Sequence, residues 1–220
     1  PGHRSTTRLG SPSRIEDGRL GRDVVVEAGG DPFLVDEGAV LILRRLHDLG
    51  LRTVAGRLAV RGSLLFDWER DPNGARLTRA LGGKVTTWPT TPGWPPLADA
   101  ALAFRGGASP PTPNTAADPL VVYRSPPLLA ILKALNGYSN NIFHPASDAI
   151  GGPTAVTALA RDAVPPALRD EIVITNAAGA GTTTRISPRA AVAIIDALRH
   201  ELARHGKDLT AVLPVSGIDP

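Results

Sequence analysis

Ser139 and Asn141 flank a single residue, Asn140, in a segment bounded on both sides by helical patterns. A hydroxyl and a carboxamide two positions apart on a turn between helices can face one cleft, the hydroxyl relaying a proton and the amide holding a substrate carbonyl. Ser and Asn are also the common residues of turns and caps, so the tripeptide alone fits plain structure as well. The chain has no Cys, which removes disulfides, thiolate metal ligands and thiolate nucleophiles together. Any nucleophile must be oxygen or nitrogen.

Two other constellations fall away on spacing. His200-Glu201-Leu202-Ala203-Arg204-His205 has the look of a zinc-protease helix, but its imidazoles stand at i and i+5. The extra residue turns the second ring by roughly 100° around a helix of about 3.6 residues per turn, so the pair cannot share a metal from one face. A solvated helix end, where His and Arg suit the dipole, is the reading that remains. Gly29-Gly30-Asp31 follows a strand pattern but lacks the remaining glycines of a dinucleotide loop and the Lys and Ser/Thr of a phosphate loop, and it reads as a structural turn. His144 stands alone. No metal or organic cofactor is implied.

The elements that must position Ser139 and Asn141 follow from hydrophobic period and punctuation. Residues 22–28 read as a strand ending at the turn Gly29 to Pro32, with a helix over 36–49 stopped by Gly50. Residues 53–60 alternate as one half-buried strand, so strand, helix and strand make a small α/β unit. Residues 86–119 hold most of the proline and read as an irregular connection with a single strand. Ser125-Pro126-Pro127 opens a helix that the apolar residues Leu128, Leu129, Ile131, Leu132 and Leu135 predict to be largely buried, closed by Asn136-Gly137. Further helices are expected from near Asn141, where Pro145 must lie in the first turn or break the helix, over Thr154 to Asp162, and from Ser187-Pro188 to Gly206; Glu171 to Thr175 reads as a strand.

Composition narrows the partners. With 220 residues, 42% of them hydrophobic, and 23 Gly and 21 Pro without a three-residue period, the chain is globular and loop-rich rather than disordered or collagenous. Its net charge of +3 comes from five Arg against Glu16 and Asp17 in residues 1–22, while the remaining 198 residues balance. Aromatics at 4% offer little base-stacking surface, so no nucleic-acid partner is expected. The chain holds neither an 18-residue apolar run nor an N-terminal apolar stretch, so no membrane span or signal peptide is read in it.

Ser125-Pro126-Pro127-Leu128 followed by Ile131-Leu132-Lys133-Ala134-Leu135-Asn136-Gly137-Tyr138-Ser139-Asn140-Asn141 resembles the segment around the second active-site motif of D-alanyl-D-alanine carboxypeptidases of the low-molecular-mass class C penicillin-binding type. Gly18 to Pro32 resembles the start of that family's inserted domain, and Leu49 to Leu58 its next helix-to-strand passage. Gly179 to Pro188 and Leu213 to Asp219 resemble passages after the second motif. The resemblance covers nearly the whole chain and implies a mixed α/β fold. That fold is an inserted β-rich α/β domain, residues 1–122, and part of a transpeptidase-like (serine β-lactamase-like) catalytic domain, residues 123–220.

In that family a Ser-x-x-Lys serine attacks the terminal amide of peptidoglycan stem peptides ending in D-Ala-D-Ala. The resemblance implies a serine-type carboxypeptidase or endopeptidase, placed outside the cytoplasm and inhibited by β-lactams when complete. Ser139 would be the proton-relay hydroxyl, Asn141 the substrate-amide contact and Asn140 the variable middle residue. The alternative is a non-catalytic module binding cell-wall peptides or proteins. The chain contains no Ser-x-x-Lys and no Lys-Thr-Gly; Lys84 begins Lys-Val-Thr instead. A chain that starts at Pro1 without Met is expected to lack an upstream part, the nucleophile belonging before residue 1 and Lys-Thr-Gly after residue 220. Phe143-His144-Pro145-Ala146-Ser147 departs from the family's Ala-Glu, and Asn176 to Gly181 from its Asp-x-Ser-Gly-Leu-Ser. These 220 residues should therefore form no covalent adduct with fluorescent penicillin on denaturing gels. Stoichiometric labelling would show a nucleophile unaccounted for.

Overall fold

The computed structural model describes residues 4–85, 96–106, 108–109, 116–136, 143–179 and 182–216. They fall into two compact units, one from Arg4 to Ser125 and one from Pro126 onward. The first unit begins with Thr6–Ser11 (β1), Ile15–Glu16 (β2), Arg19–Leu20 (β3) and Val24–Gly29 (β4). Helix Asp36–Asp48 (α1) follows, then Thr53–Val54 (β5), Leu58–Ser63 (β6), Leu65–Phe66 (β7) and Glu69–Arg70 (β8). Helix Ala75–Leu81 (α2), the short helix Leu97–Ala100 (α3), Ala103–Phe104 (β9), Ala108–Ser109 (β10) and Asp118–Arg124 (β11) complete it. The order β10-β6-β4-β1-β11 makes a five-stranded sheet, β2-β3-β5-β9 a four-stranded one, and β7 pairs with β8.

β4 and β6 run parallel from Val24 opposite Leu58 to Gly29 opposite Ser63. Parallel neighbours need a crossover, and α1 supplies it. Ala39, Ile42, Leu43 and Leu46 face inward and pack with Leu9, Val24, Val26, Leu58 and Val60 in one core. Each of these fully buried leucines contributes about 2 kcal/mol. Gly50, at φ +84°, ends the helix: its N–H reaches the His47 carbonyl at 2.8 Å and the Leu51 N–H reaches Leu46 at 3.0 Å. That is the hydrogen-bond pattern of a Schellman C-cap. Short α2 starts on Asp71, whose buried carboxylate accepts the N–H groups of Arg76 and Leu77 at 3.0 Å.

The single strand expected over 53–60 is two strands in two sheets. β5 pairs with β3 and β9, whereas β6 pairs with β4 and β10. Between them the chain bends at Gly56, which lies so close to Arg22-Asp23 that a Cβ there would stand 2.6 Å from the Asp23 nitrogen and 2.7 Å from the Arg22 carbonyl carbon. The Arg57 N–H is held by the Asp23 carboxylate at 2.8 Å. Leu58, Ala59 and Val60 of β6 are all buried, so the alternation of residue type did not track burial and gave no sign of the switch of sheet. In the proline-rich stretch, the described residues carry α3 ahead of strands β9 and β10 rather than one strand.

The second unit holds Leu128–Asn136 (α4), Phe143–Ala149 (α5), Gly152–Asp162 (α6), a 3-10 turn at Pro166–Glu171 and Ile172–Val173 (β12). Arg185–Ile186 (β13), Pro188–Arg204 (α7) and a 3-10 turn at Leu209–Ala211 follow. Pro145 sits in the first turn of α5, where its missing N–H costs nothing. The strand expected to reach Thr175 stops at Val173, because its partner β13 has two residues. α7 starts as expected: the Ser187 hydroxyl accepts the Ala190 N–H at 3.1 Å with Pro188 in the first turn. Val164, Ile172 and Ala190 form the buried core. α4 is not largely buried, since Leu128, Leu129, Ile131 and Leu132 are only half-covered. Its main packing partner among the described elements is the small 3-10 turn at Leu209–Ala211, which covers too little of an apolar face to bury it.

Gly56→Ala should destabilise the first unit by about 1–3 kcal/mol, the usual cost of forced overpacking. A lower urea midpoint for the variant would report it. An unchanged midpoint would mean that the Arg22-Asp23 backbone moves aside freely.

Candidate functional site

α4 and α5 lie on either side of the candidate residues in sequence: one ends at Asn136 and the other begins at Phe143. Ser139 and Asn141, together with Asn140, lie outside the described residues. What the structure shows is how their two flanks are held. At the first flank the Asn136 carboxamide donates to the Val212 carbonyl at 2.7 Å. At the second, α5 packs on α6 through a turn in which Gly151 and Gly152 both take positive φ, +107° and +77°. Ser147 of α5 is 4% exposed, and its hydroxyl is without a hydrogen-bond partner among the described residues.

Behind these flanks, side chains bond to backbone and carry the frame. Arg161 on α6 donates from Nε and from its terminal nitrogen to the Ile172 carbonyl, at 3.2 and 2.9 Å. The Thr157 hydroxyl lies 2.8 Å from the Pro153 carbonyl and 3.1 Å from that of Ile174. The Glu171 carboxylate takes Arg189 through both of its oxygens and the Ser187 hydroxyl through one. Arg189 and then Ser187 hold its pKa down at about 2. The carboxylate therefore stays charged wherever the protein would work.

His200 of α7 and His205, the residue just past its end, each face a carbonyl or acid of that helix. His200 Nδ1 stands 2.8 Å from the Asp196 carbonyl and His205 Nε2 3.2 Å from Glu201. Both side chains are largely exposed. Among the described residues no three His, Asp or Glu side chains converge as a metal would require.

An acid that sequence reasoning took only as part of a turn stands out in the first unit. Asp31 follows β4 and Gly30, the latter at φ +72°, and is 3% exposed. Its Oδ1 accepts the Phe33 N–H at 3.0 Å, while Oδ2 has no hydrogen-bond partner among the described residues. Burial pushes its pKa above the ordinary value. Tyr123, whose hydroxyl lies close over Gly38, is raised by burial and then by the charges of Asp31 and Glu37. Asp67, in the tight β7–β8 turn where it and Trp68 take positive φ, is raised by burial and by Asp36. The Trp68 ring meets Phe33 edge-on at 5.4 Å. An Asp-Pro pair after two glycines signals a turn; nothing in its local pattern signals burial of the carboxylate.

No protein-family profile and no curated protein matches the chain. Solved structures do. Bd3459, a predatory endopeptidase of Bdellovibrio bacteriovorus, aligns with a TM-score of 0.73 at 18% identity, over 98% of this chain and 61% of its own. Bd0816 of the same organism, a predatory endopeptidase in complex with the immunity protein Bd3460, aligns at 0.67 and 20% identity, over 97% and 62%. Penicillin-binding protein 4 of Haemophilus influenzae, complexed with a β-lactam, aligns at 0.63 and 14%, over 99% and 68%. The chain thus spans about three-fifths of the Bdellovibrio structures. It has the α/β fold of low-molecular-mass class C penicillin-binding proteins, consistent with a partial serine β-lactamase-like domain.

Asp31 allows a titration test within the first unit. Its native pKa lies above the ordinary 3.8, so the folded state binds the proton more tightly and stability falls as pH rises through the window between the two. Asp31→Asn keeps an oxygen for the Phe33 N–H and carries no charge to desolvate. It should gain about 1 kcal/mol at pH 7, with the gain closing toward pH 4. Urea titrations at the two pH values measure it, and a loss at pH 7 would contradict the burial argument.

Proposed function

We propose that this chain, which has the penicillin-binding fold, forms part of a serine-type peptidase that cleaves D-alanyl-D-alanine ends or cross-links of peptidoglycan stem peptides. What supports this most is the likeness to a peptidoglycan-directed endopeptidase fold over nearly all of the chain, together with Ser139-Asn140-Asn141 between α4 and α5. Residues 1–122 would be the inserted domain and 123–220 part of the catalytic one.

The serine of a Ser-x-x-Lys, absent from these 220 residues, would attack the carbonyl carbon of the penultimate D-Ala. The C–N bond breaks, the departing amine takes a proton, and water then cleaves the ester to restore the serine. Ser139 is assigned the hydroxyl that passes that proton, and Asn141 the carboxamide that donates to the substrate carbonyl. The substrate places the reaction outside the cytoplasmic membrane. β-Lactams, which acylate such serines, would inhibit the complete enzyme. Among the described residues no helix is long and apolar enough to cross a membrane.

A second reading, a cell-wall-peptide binding module without catalysis, is supported by the internal departures at Phe143 to Ser147 and Asn176 to Gly181 from the family's pattern. The gene on either side of these codons separates the two: Ser-x-x-Lys upstream and Lys-Thr-Gly downstream favour the enzyme. On both readings the chain should bind diacetyl-L-Lys-D-Ala-D-Ala in preference to the all-L peptide. Asn141→Ala should weaken binding about fivefold, the worth of one hydrogen bond of roughly 1 kcal/mol. Calorimetric titration measures both, and equal affinity for the two peptides would sink the stem-peptide assignment.

A further inference from the structure

We infer that the apolar face which α6 and α7 leave open among the described residues is the seat of an amphipathic helix, carried by the same polypeptide outside these 220 residues. The inference rests on the reading above in taking the chain as part of a longer protein; the chemistry of that protein does not enter it.

Four large side chains mark the face. Ile150, just before α6, is 55% exposed and Leu159 of α6 60%, while Val192 and Ile195 of α7 are 69% and 44% exposed. Between the two helices Leu159, Ala160, Ala163, Ile194 and Leu198 line a hollow of about 790 Å³. Ala191, Val192 and Ile195 line a second one on α7. Ile195 stands three residues from both Val192 and Leu198, so the two hollows join in one strip. Single exposed apolar side chains need no account, whereas a contiguous patch marks an interface.

The lining also fits the occupant. Alanines along the groove let a second helix approach to about 8–10 Å. The rim asks for no charge, because Arg199 and His200 face Asp196, and Arg204 and His205 face Glu201. The arriving surface is therefore apolar. α6 has 11 residues, so the groove it shares with α7 runs about 16 Å, the length of three helical turns.

The unit is short of core. Its buried cluster is Val164, Ile172 and Ala190, whereas in the first unit one core runs from Leu9 to Val121. A small core must be completed permanently if the unit is to stay folded. A segment on the same polypeptide does this through its high effective concentration, which a free partner lacks. The Bdellovibrio endopeptidase fold, with which 98% of this chain aligns, extends about two-fifths beyond it and so has the length to supply one.

The chain has no Cys, so an introduced thiol reports its own accessibility. Leu159→Cys and Ile195→Cys are made in the 220-residue protein and in the protein from the complete gene, with Arg169→Cys, at an exposed position of the 3-10 turn, as control. Reaction with a maleimide is timed and mapped by peptide mass. In the 220-residue protein the three positions should react at comparable rates. In the complete protein 159 and 195 should slow at least tenfold while 169 keeps its rate. Leu159→Asp should leave the urea midpoint of the 220-residue protein unchanged and lower that of the complete one. Equal rates in the two proteins overturn the proposal, as does a gene that encodes nothing beyond these residues. Protection in the 220-residue protein that grows with its concentration makes a second copy the occupant and overturns it too. Slowed thiols in a protein without Ser-x-x-Lys keep the inference and end the peptidase reading; a Ser-x-x-Lys protein with both thiols open does the reverse.

Discussion

Glu171 ends a 3-10 turn with a carboxylate that takes Arg189 and the Ser187 hydroxyl, and that hydroxyl in turn accepts the Ala190 N–H and caps α7. One charged group thereby joins the turn, the strand that follows it and the longest helix of the unit. Because Arg189 and Ser187 keep the group ionised down to about pH 2, the joint does not loosen at any physiological pH. It places Ala190 beside Ile172 in the core, and it sets the far end of α7, from which the chain turns back to Leu209–Ala211 and α4. The flank of the candidate site is the last link in that series.

The first unit rests on a different constraint. β4 and β6 are parallel neighbours, so the chain had to cross over, and α1 fills the crossover with a stripe of fully buried side chains. The backbone leaves β4 through Gly30 into Asp31, whose carboxylate is buried with one oxygen unpaired among the described residues. Burying an acid in that way works against the fold's own stability. The Asx turn to Phe33 recovers part of the cost, and the large apolar core beneath absorbs the remainder.

The second unit is thinner. Its helices bury few large side chains, and Leu159 and Val192 stand 60% and 69% exposed. Its order comes instead from side chains bonded to backbone: Arg161 to Ile172, Thr157 to Ile174 and Asn136 to Val212. Such bonds are directional, and they fix position more sharply than apolar packing does.

Local rules made much of this readable in advance. The α1 stop at Gly50, the α7 start at Ser187-Pro188 and its end at Gly206 all depend on residues within one helical turn of each other. Ser139 and Asn141 were singled out by residue type and by the helices expected on either side, and they lie outside the described residues. Tertiary structure alone decided that residues 53–60 divide between two sheets, that the apolar face of α4 stays half-open, that Asp31 is buried and that Asn136 finds Val212. Each of those outcomes depends on which distant segment lies alongside. Periodicity records that a face is apolar, but neither what covers it nor which carbonyl 76 residues away will accept a hydrogen bond.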